Sequence, residues 1–326
     1  MKRILLFVLA LVVLATGWLG YKLHSRPSLD RYAALAFAPA AGDGGDALRV
    51  TFLGVSTLLL RDASAAVLID GFFSRPGILP TAVGKLAPDR QRIRAALAKA
   101  GIDRLDSVVT VHSHYDHAMD TPAVAAITGA VVVGSPSTAN IARGQGMAED
   151  RLRVVTATQT MHFGDLTVTL IPSRHFPHGQ AMGEIAAPLV PPARAPDYLE
   201  GGSFSVLVER GDKAILVQGS AGFVEGALAG RRADVVYLGV GLLGSMDEAY
   251  RDAYWRETVA AVGARRVVPI HWDDFTRSLD EPLVALPYLF DDLDASMDFV
   301  SARAARDGVD VRWPVLWQKT DPFAGL

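Results

Sequence analysis

Six consecutive residues, His112-Ser113-His114-Tyr115-Asp116-His117, constrain this chain more than any other feature, and they directly follow the apolar run 107–111. Three of the eight histidines fall within them. A valine-rich run reads as a β-strand, and Pro122, just after Asp120 or Thr121 as cap, reads as the first turn of a helix, so the histidines sit on a strand-to-helix loop. In extended chain, residues two apart point the same way, so His112 and His114 converge on one ion. Asp116 and His117 are adjacent and point apart, which lets the loop feed a second ion beside the first. Imidazoles packed this densely around an aspartate have no packing rationale, and the spacing predicts a metal centre. The 326 residues include no cysteine, so any metal is held by histidine and carboxylate; disulfide scaffolds and cysteine nucleophiles are excluded.

Two further histidines arrive in the same context. Run 166–171 leads into Arg174-His175-Phe176-Pro177-His178, and run 267–270 leads directly into His271-Trp272-Asp273-Asp274. Strand ends on one rim of a sheet are where an α/β fold gathers a site, so His175 and His271 are the natural completing ligands. His162 and His178 are read as either supporting or structural, and His24 as outside the site. Asp70, at the end of an early strand, is expected to brace the metal loop through hydrogen bonds, and Asp273 or Asp274 to support His271 or face solvent.

Strands are expected at 49–54, 57–61, 66–70, 107–111, 130–134, 166–171, 203–209, 214–217, 235–240 and 267–270. Helices are expected at 88–100, 122–128, 247–262 and 293–306. Alternation over this length suits one layered α/β domain spanning 48–326. Half of the residues are hydrophobic and 21% are charged, which suits a chain with a sizeable core. The net charge of −3, with no strongly basic patch, argues against a nucleic-acid partner.

Ahead of that body, Lys2 and Arg3 precede a charge-free run at 4–21, and Lys22, His24 and Arg26 follow it. Residues 1–26 therefore read as a signal peptide or membrane anchor. Bulky Trp18, Leu19 and Tyr21 carry the apolar run beyond the small residues Ala15-Thr16-Gly17, which favours an uncleaved anchor. The body is then expected to be membrane-anchored or exported, on the cell-envelope or periplasmic side. Residues 27–47, rich in Ala, Gly and Pro, read as a linker.

On these residues the chain resembles the metallo-β-lactamase-fold hydrolases, marked by His-x-His-x-Asp-His at a strand end, and the resemblance runs from Leu48 to Trp317. Within that superfamily it is most similar to the branch containing N-acylphosphatidylethanolamine-hydrolysing phospholipase D and ascorbate-phosphate lactonase. Thr51-Phe52-Leu53-Gly54, His114-Tyr115-Asp116-His117 and Pro269-Ile270-His271-Trp272 carry that similarity. The resemblance implies an αββα sandwich, two mixed β-sheets flanked by helices, with two zinc ions at one edge. It assigns His112, His114 and His175 to one metal, and Asp116, His117 and His271 to the other.

One departure bears on the second metal. Where the family supplies a bridging Asp in a Gly-Asp-x-Gly type turn, this chain reads Gln218-Gly219-Ser220-Ala221-Gly222-Phe223, and Ser220 cannot bridge two ions as an anion. Two zinc ions are expected, the second being conditional on this replacement, and an iron redox centre is disfavoured. The implied activity is hydrolysis of an ester, lactone or phosphodiester by a metal-bound hydroxide. Asp116 orients the nucleophile, Ser220 holds water where the usual carboxylate lies, and Tyr115 is a donor to a developing oxyanion. The stretch 176–202, with Met182, Leu189 and Tyr198, reads as a loop over the site, and with the N-terminal run it suggests a small-molecule or lipid-like substrate. The alternatives are a β-lactamase-like amide hydrolase and a non-catalytic metal-binding member of the fold. Tyr250, Tyr254 and Trp255 are expected to be packing residues, and the glycines of 239–244 to form a turn.

Overall fold

The computed structural model describes residues 2–40, 46–177 and 179–326. The chain begins with α1 (Lys2–His24), then enters the body through β1 (Arg49–Phe52), β2 (Leu58–Arg61), β3 (Ala66–Ile69), α2 (Ile78–Val83), α3 (Arg90–Lys99) and β4 (Ser107–Val109). There follow α4 (Tyr115–Ala118), α5 (Thr121–Thr128), β5 (Val131–Gly134), α6 (Pro136–Gly144), β6 (Leu152–Val154), β7 (Gln159–Phe163), β8 (Leu166–Ser173), β9 (Ser203–Arg210) and β10 (Lys213–Gln218). The last third supplies β11 (Val235–Gly239), α7 (Glu248–Trp255), β12 (Arg266–Ile270), α8 (Leu293–Asp307), β13 (Asp310–Val311) and β14 (Lys319–Thr320).

Two seven-stranded sheets result, in the orders β14-β1-β2-β3-β4-β5-β6 and β13-β12-β11-β10-β9-β8-β7. Each has an antiparallel meander, β1 to β3 or β7 to β10, that passes into parallel strands. Parallel neighbours end level: Ile69 pairs with Val109, and Gly239 with Ile270. The segments leaving β3 and β4 therefore emerge side by side, and so do those leaving β11 and β12.

Strict alternation along the strands builds the layers. Val67, Ile69 and Val109 share a core with Val168, Val206, Ile215 and Val268 of the second sheet, while Leu68, Val108 and Val132 pack with Ile93 and Leu97 of α3 and Val124 of α5. A period of two with both faces apolar is what a strand buried between a sheet and helices requires. On the second sheet, Tyr254 of α7 and Met297 and Val300 of α8 extend the same core. The expected sandwich of two mixed sheets flanked by helices is the observed one.

All ten expected strands and all four expected helices form, the third helix passing from α7 into a π-helical turn at Arg256–Ala260. Strands β6, β7, β13 and β14 and helices α2, α4 and α6 were not anticipated. The 27–47 stretch differs from a free linker over its described part. Leu29–Leu35 forms a 3₁₀ turn, Tyr32 stacks on Trp313 at 4.5 Å between ring centroids, Ala36 bridges to Trp313, and Phe37 is buried. Two aromatics with a receptive apolar surface outweigh the flexibility that Ala, Gly and Pro confer. Residues 41–45 of that stretch lie outside the described residues.

Candidate metal centre

The loop after β4 carries the first candidate ligands. It is pinned from below by Asp70, whose Oδ1 accepts the Val111 N–H at 2.9 Å, and from behind by α5, a helix with Pro122 in its first turn. His112 and His114 emerge on one side, and their rings meet that of His175 at 4.6 Å each; His112 and His114 lie 4.8 Å apart. His175 stands on the segment after β8, its N–H donated to Glu200 Oε1 at 3.2 Å and its Nδ1 2.8 Å from the Phe176 carbonyl, contacts that fix the ring's orientation.

Asp116 and His117 open α4 and meet His271, the residue after β12. His117 Nε2 lies 3.1 Å from His271 Nε2, and Asp116 Oδ2 lies 3.5 Å and 3.4 Å from those two atoms. A tetrahedral ion with bonds of about 2.0–2.2 Å has ligand-to-ligand edges of about 3.3–3.6 Å; the two Asp116 edges fall in that range and the His117–His271 edge is slightly shorter, so the triad is close to the cage such an ion needs. In each triad the ligand atoms all lie within 4.8 Å of one another. The His112 and His117 rings are 3.8 Å apart, so the triads are neighbours.

The donor set fits metal on an independent ground. His112 is buried, yet neither of its ring nitrogens has a hydrogen-bond partner. Orphaned nitrogens in a closed site are costly unless a ligand satisfies them. Burial, reinforced by His117, His175 and His114, pushes the His112 imidazolium well below its ordinary range, so the ring is neutral and ready to coordinate. For Asp116, burial acts upward but is outweighed by His117, His271 and His114, which hold the carboxyl far below its usual value. Burial likewise opposes charge on His117, and Asp116 and Asp70 outweigh it, raising that ring.

Supporting groups are as specific as the ligands. Asp70 Oδ2 accepts from the Ser56 hydroxyl and lies 2.8 Å from His117 Nδ1, so it sets the tautomer that frees His117 Nε2. Val55 ties the two sheets together: its carbonyl accepts the His271 N–H at 2.8 Å and its N–H is donated to Asp273 Oδ1 at 2.8 Å. Asp273 in turn pairs with Arg75 at 2.7 Å, both side chains fully buried. Asp274 is also buried and binds Arg26, so neither carboxylate faces solvent. The roles of Ser56, Val55, Arg75 and Glu200 had no signal in the sequence, because each acts through a contact with a residue far along the chain.

The remaining expected residues fall as follows. Tyr115 packs its ring edge-on against Phe72 at 5.8 Å and Phe275 at 6.2 Å, and its hydroxyl reaches Thr81; burial pushes its pKa well above 10. Ser220 is buried beside the His175 segment, and its Oγ accepts the Phe176 N–H at 2.9 Å. The 176–202 stretch does lie over the centre: Ala181 O is 3.3 Å from His114 Nε2, and Ile185, Ala193 and Tyr198 are buried with Val55 and Phe72. His162 is an exposed residue of β7 bound to Thr167, His24 lies on α1, and His178 lies outside the described residues. Tyr250 and Tyr254 donate to the backbone at Ala221 and Gly239, as packing residues with polar tips do. Beside His175, a pocket of about 240 Å³ is lined by Arg174, Pro177, Phe223, Glu225 and Tyr250.

Two mixed sheets in a sandwich, with two adjoining His/Asp triads at the strand ends, define a metal-dependent hydrolase of the metallo-β-lactamase fold. The chain belongs to the β-lactamase superfamily: the profile of the β-lactamase superfamily domain matches residues 66–272. It is 25% identical over 239 residues to a UPF0173 metal-dependent hydrolase of Heliobacterium modesticaldum, covering 70% of this chain and 84% of that protein. It is 31% identical over 164 residues to an uncharacterised protein of Mycobacterium bovis, covering 48% of this chain but 42% of that one. Among solved structures, a possible metal-dependent hydrolase from Veillonella parvula superposes with a TM-score of 0.53 at 15% identity, covering 85% of this chain and all of that one. The metallo hydrolase Igni18 of Ignicoccus hospitalis superposes with a TM-score of 0.51 at 15% identity, covering 82% and 94%. Both likenesses concern the fold.

Proposed function

We propose that the protein is a zinc-dependent hydrolase of an ester, lactone or phosphodiester bond, held at a membrane by α1. The observation that carries the reading is the pair of adjoining triads, one with an orphaned buried imidazole and one with edges of 3.1, 3.4 and 3.5 Å. His112, His114 and His175 would hold one ion, and Asp116, His117 and His271 the other. Zinc, if held by these residues, would supply the acidity for a bound water and polarise the substrate oxygen. Asp116, kept ionised by three imidazoles, would accept a hydrogen bond from such a water and orient it. The pocket beside His175 takes one arm of the substrate, with Phe223 and Tyr250 as apolar wall and Arg174 at its edge. Imidazole and carboxylate donors suit zinc, and Ser220, without charge, would supply no anionic oxygen where the usual carboxylate lies. The apolar, 23-residue α1, with a mean hydropathy of 2.4 over an 18-residue window and none of that window buried, supports the membrane reading.

The test is elemental analysis of the full chain purified without added metal, with turnover measured on an aryl ester, a lactone, an aryl phosphodiester and a chromogenic cephalosporin. Two zinc equivalents with chelator-sensitive turnover of one of the first three are expected. Cleavage of the cephalosporin alone shifts the reading to an amide hydrolase. Stoichiometric metal with no turnover on the whole panel points to a non-catalytic member.

A further inference from the structure

Three surface features connect, directly or through intervening side chains, to the elements of the metal centre. The first is α2, six residues without a charge and without a single buried side chain, on which Leu79 is 72% and Val83 82% exposed. A helix that buries nothing and shows its bulky residues to water gains nothing from the hydrophobic effect in the isolated molecule. The second is Leu289-Phe290, where Phe290 is 44% exposed. The third is the end of α1, which is tied to that same segment. Leu289 N–H donates to Lys22 O at 3.0 Å, Tyr288 N–H donates to Ser25 O at 3.1 Å, and Lys22 Nζ sits 5.1 Å from the Tyr288 ring.

A chain of contacts beside His271 links the end of α1 to α2. Arg26, two residues past α1, binds Asp274 Oδ2 at 2.6 Å and Ala285 O at 2.7 Å. Phe275, next in the chain, has its ring 5.9 Å from the metal ligand His271 and 6.2 Å from Tyr115. Tyr115 reaches Thr81 of α2. The anchor is thus fastened to the loop that carries His271, and α2 lies across that loop's other neighbour.

We propose that the face bearing α2 and Leu289-Phe290 rests on the bilayer that holds α1, so that the metal centre opens toward the lipid surface. The inference rests on reading α1 as a membrane anchor. Only a bilayer fits the occupant, because the segment fixed to α1 must stay within a turn or two of the membrane boundary where α1 leaves it. Lys22 and Lys85 stand at the margins of the apolar residues, where amines reach headgroup phosphates. Substrates then reach the centre from the lipid side.

The native chain has no cysteine, so single-cysteine labelling is clean. Full-length variants Leu79→Cys, Val83→Cys and Phe290→Cys carry a polarity-sensitive fluorophore in mixed phosphatidylcholine and phosphatidylglycerol vesicles. Val12→Cys within α1 and Asp103→Cys, at the opposite end of β4 from His112, serve as references. The expected result is a blue-shifted emission and loss of fluorescence to spin-labelled lipid at positions 79, 83 and 290 as well as 12, with position 103 quenched by aqueous iodide. If position 12 is embedded while 79, 83 and 290 respond to iodide as 103 does, the chain is anchored but the rim does not face lipid, and the proposal is overturned. If position 12 is also open to iodide, the anchor reading falls and takes the proposal with it.

Discussion

At Asp70 a single buried carboxylate serves the Val111 N–H, the Ser56 hydroxyl and His117 Nδ1. It therefore fixes both the height of the metal loop and the tautomer of a ligand. Asp70→Asn is expected to weaken the Asp116–His117–His271 ion by about 10–100-fold, since an amide can offer His117 the wrong partner. Competition with a chromophoric chelator measures this, and parent affinity in the variant defeats the assignment. His114→Ala should abolish turnover and lower the metal content, whereas an active, fully metallated variant removes His114 from the centre. Asp291 carries a pH signature. It is buried, its Oδ2 has no partner, and burial pushes its pKa up to about 6. The folded state then binds the proton more tightly than the unfolded one, so stability falls as pH rises from about 4 to about 6. Asp291→Asn keeps the acceptor for the Leu242 N–H and should raise stability by about 2 kcal/mol at about pH 8, with no gain at about pH 4. Urea midpoints of the two proteins at both pH values decide it. At this scale the ligands were legible because histidines at a spacing of two after a strand have little else to do. Ser56 and Arg75 were not, since nothing in their own neighbourhood marks a contact made 61 or 198 residues away.

Among the elements, the parallel strands β4 and β12 deliver every candidate ligand except His175, which follows the antiparallel β8, and their register sets where each loop departs. The turn after β10 meets the segment after β8 at a close approach: a Cβ on Gly222 would lie 2.2 Å from the Arg174 carbonyl oxygen and 2.5 Å from the His175 carbonyl carbon. Gly222→Ala must displace backbone that carries a ligand, so a cost of about 1–3 kcal/mol is expected, together with weaker metal binding by the His112–His114–His175 triad. Retention of the parent's melting temperature and metal affinity in this variant would show that the His175 segment gives way without loss. The strands that were legible, such as β4 and β12, are apolar on both faces. β7 was not legible, because Gln159–Phe163 lies at a sheet edge with its side chains largely exposed, so no buried face imposes a pattern. The short β13 and β14 are held by neighbours rather than by propensity, and α6 is announced only by the Ser135 cap and Pro136.

For the whole molecule, composition misled at the N-terminal approach and packing explains why. Ala, Gly and Pro suggested a tether, yet Tyr32 stacks on Trp313, which itself lies 4.4 Å from the Trp272 ring, one residue past the ligand His271. Phe37 is buried in the same core, and Gln318 donates to its carbonyl at 2.7 Å. The segment thus closes the edge where β14 pairs with β1, and it supports the aromatic stack beneath the His271 loop. Burying one such ring stabilises by about 1.5–3 kcal/mol, so the pair contributes about 3–6 kcal/mol against a net stability of about 5–15 kcal/mol. A chain beginning at residue 25 keeps Arg26 on Asp274 together with both aromatics, and should unfold at nearly the parent's urea midpoint. A chain beginning at residue 46 loses all three and should unfold at a much lower midpoint, with weaker binding of the ion held by His271. Equal midpoints for the two truncated chains would mean that the body begins at Leu48 and that the aromatic stack is dispensable. Unequal midpoints place the start of the folded unit before Tyr32, and make the route from α1 to the metal centre a packed one along its described length.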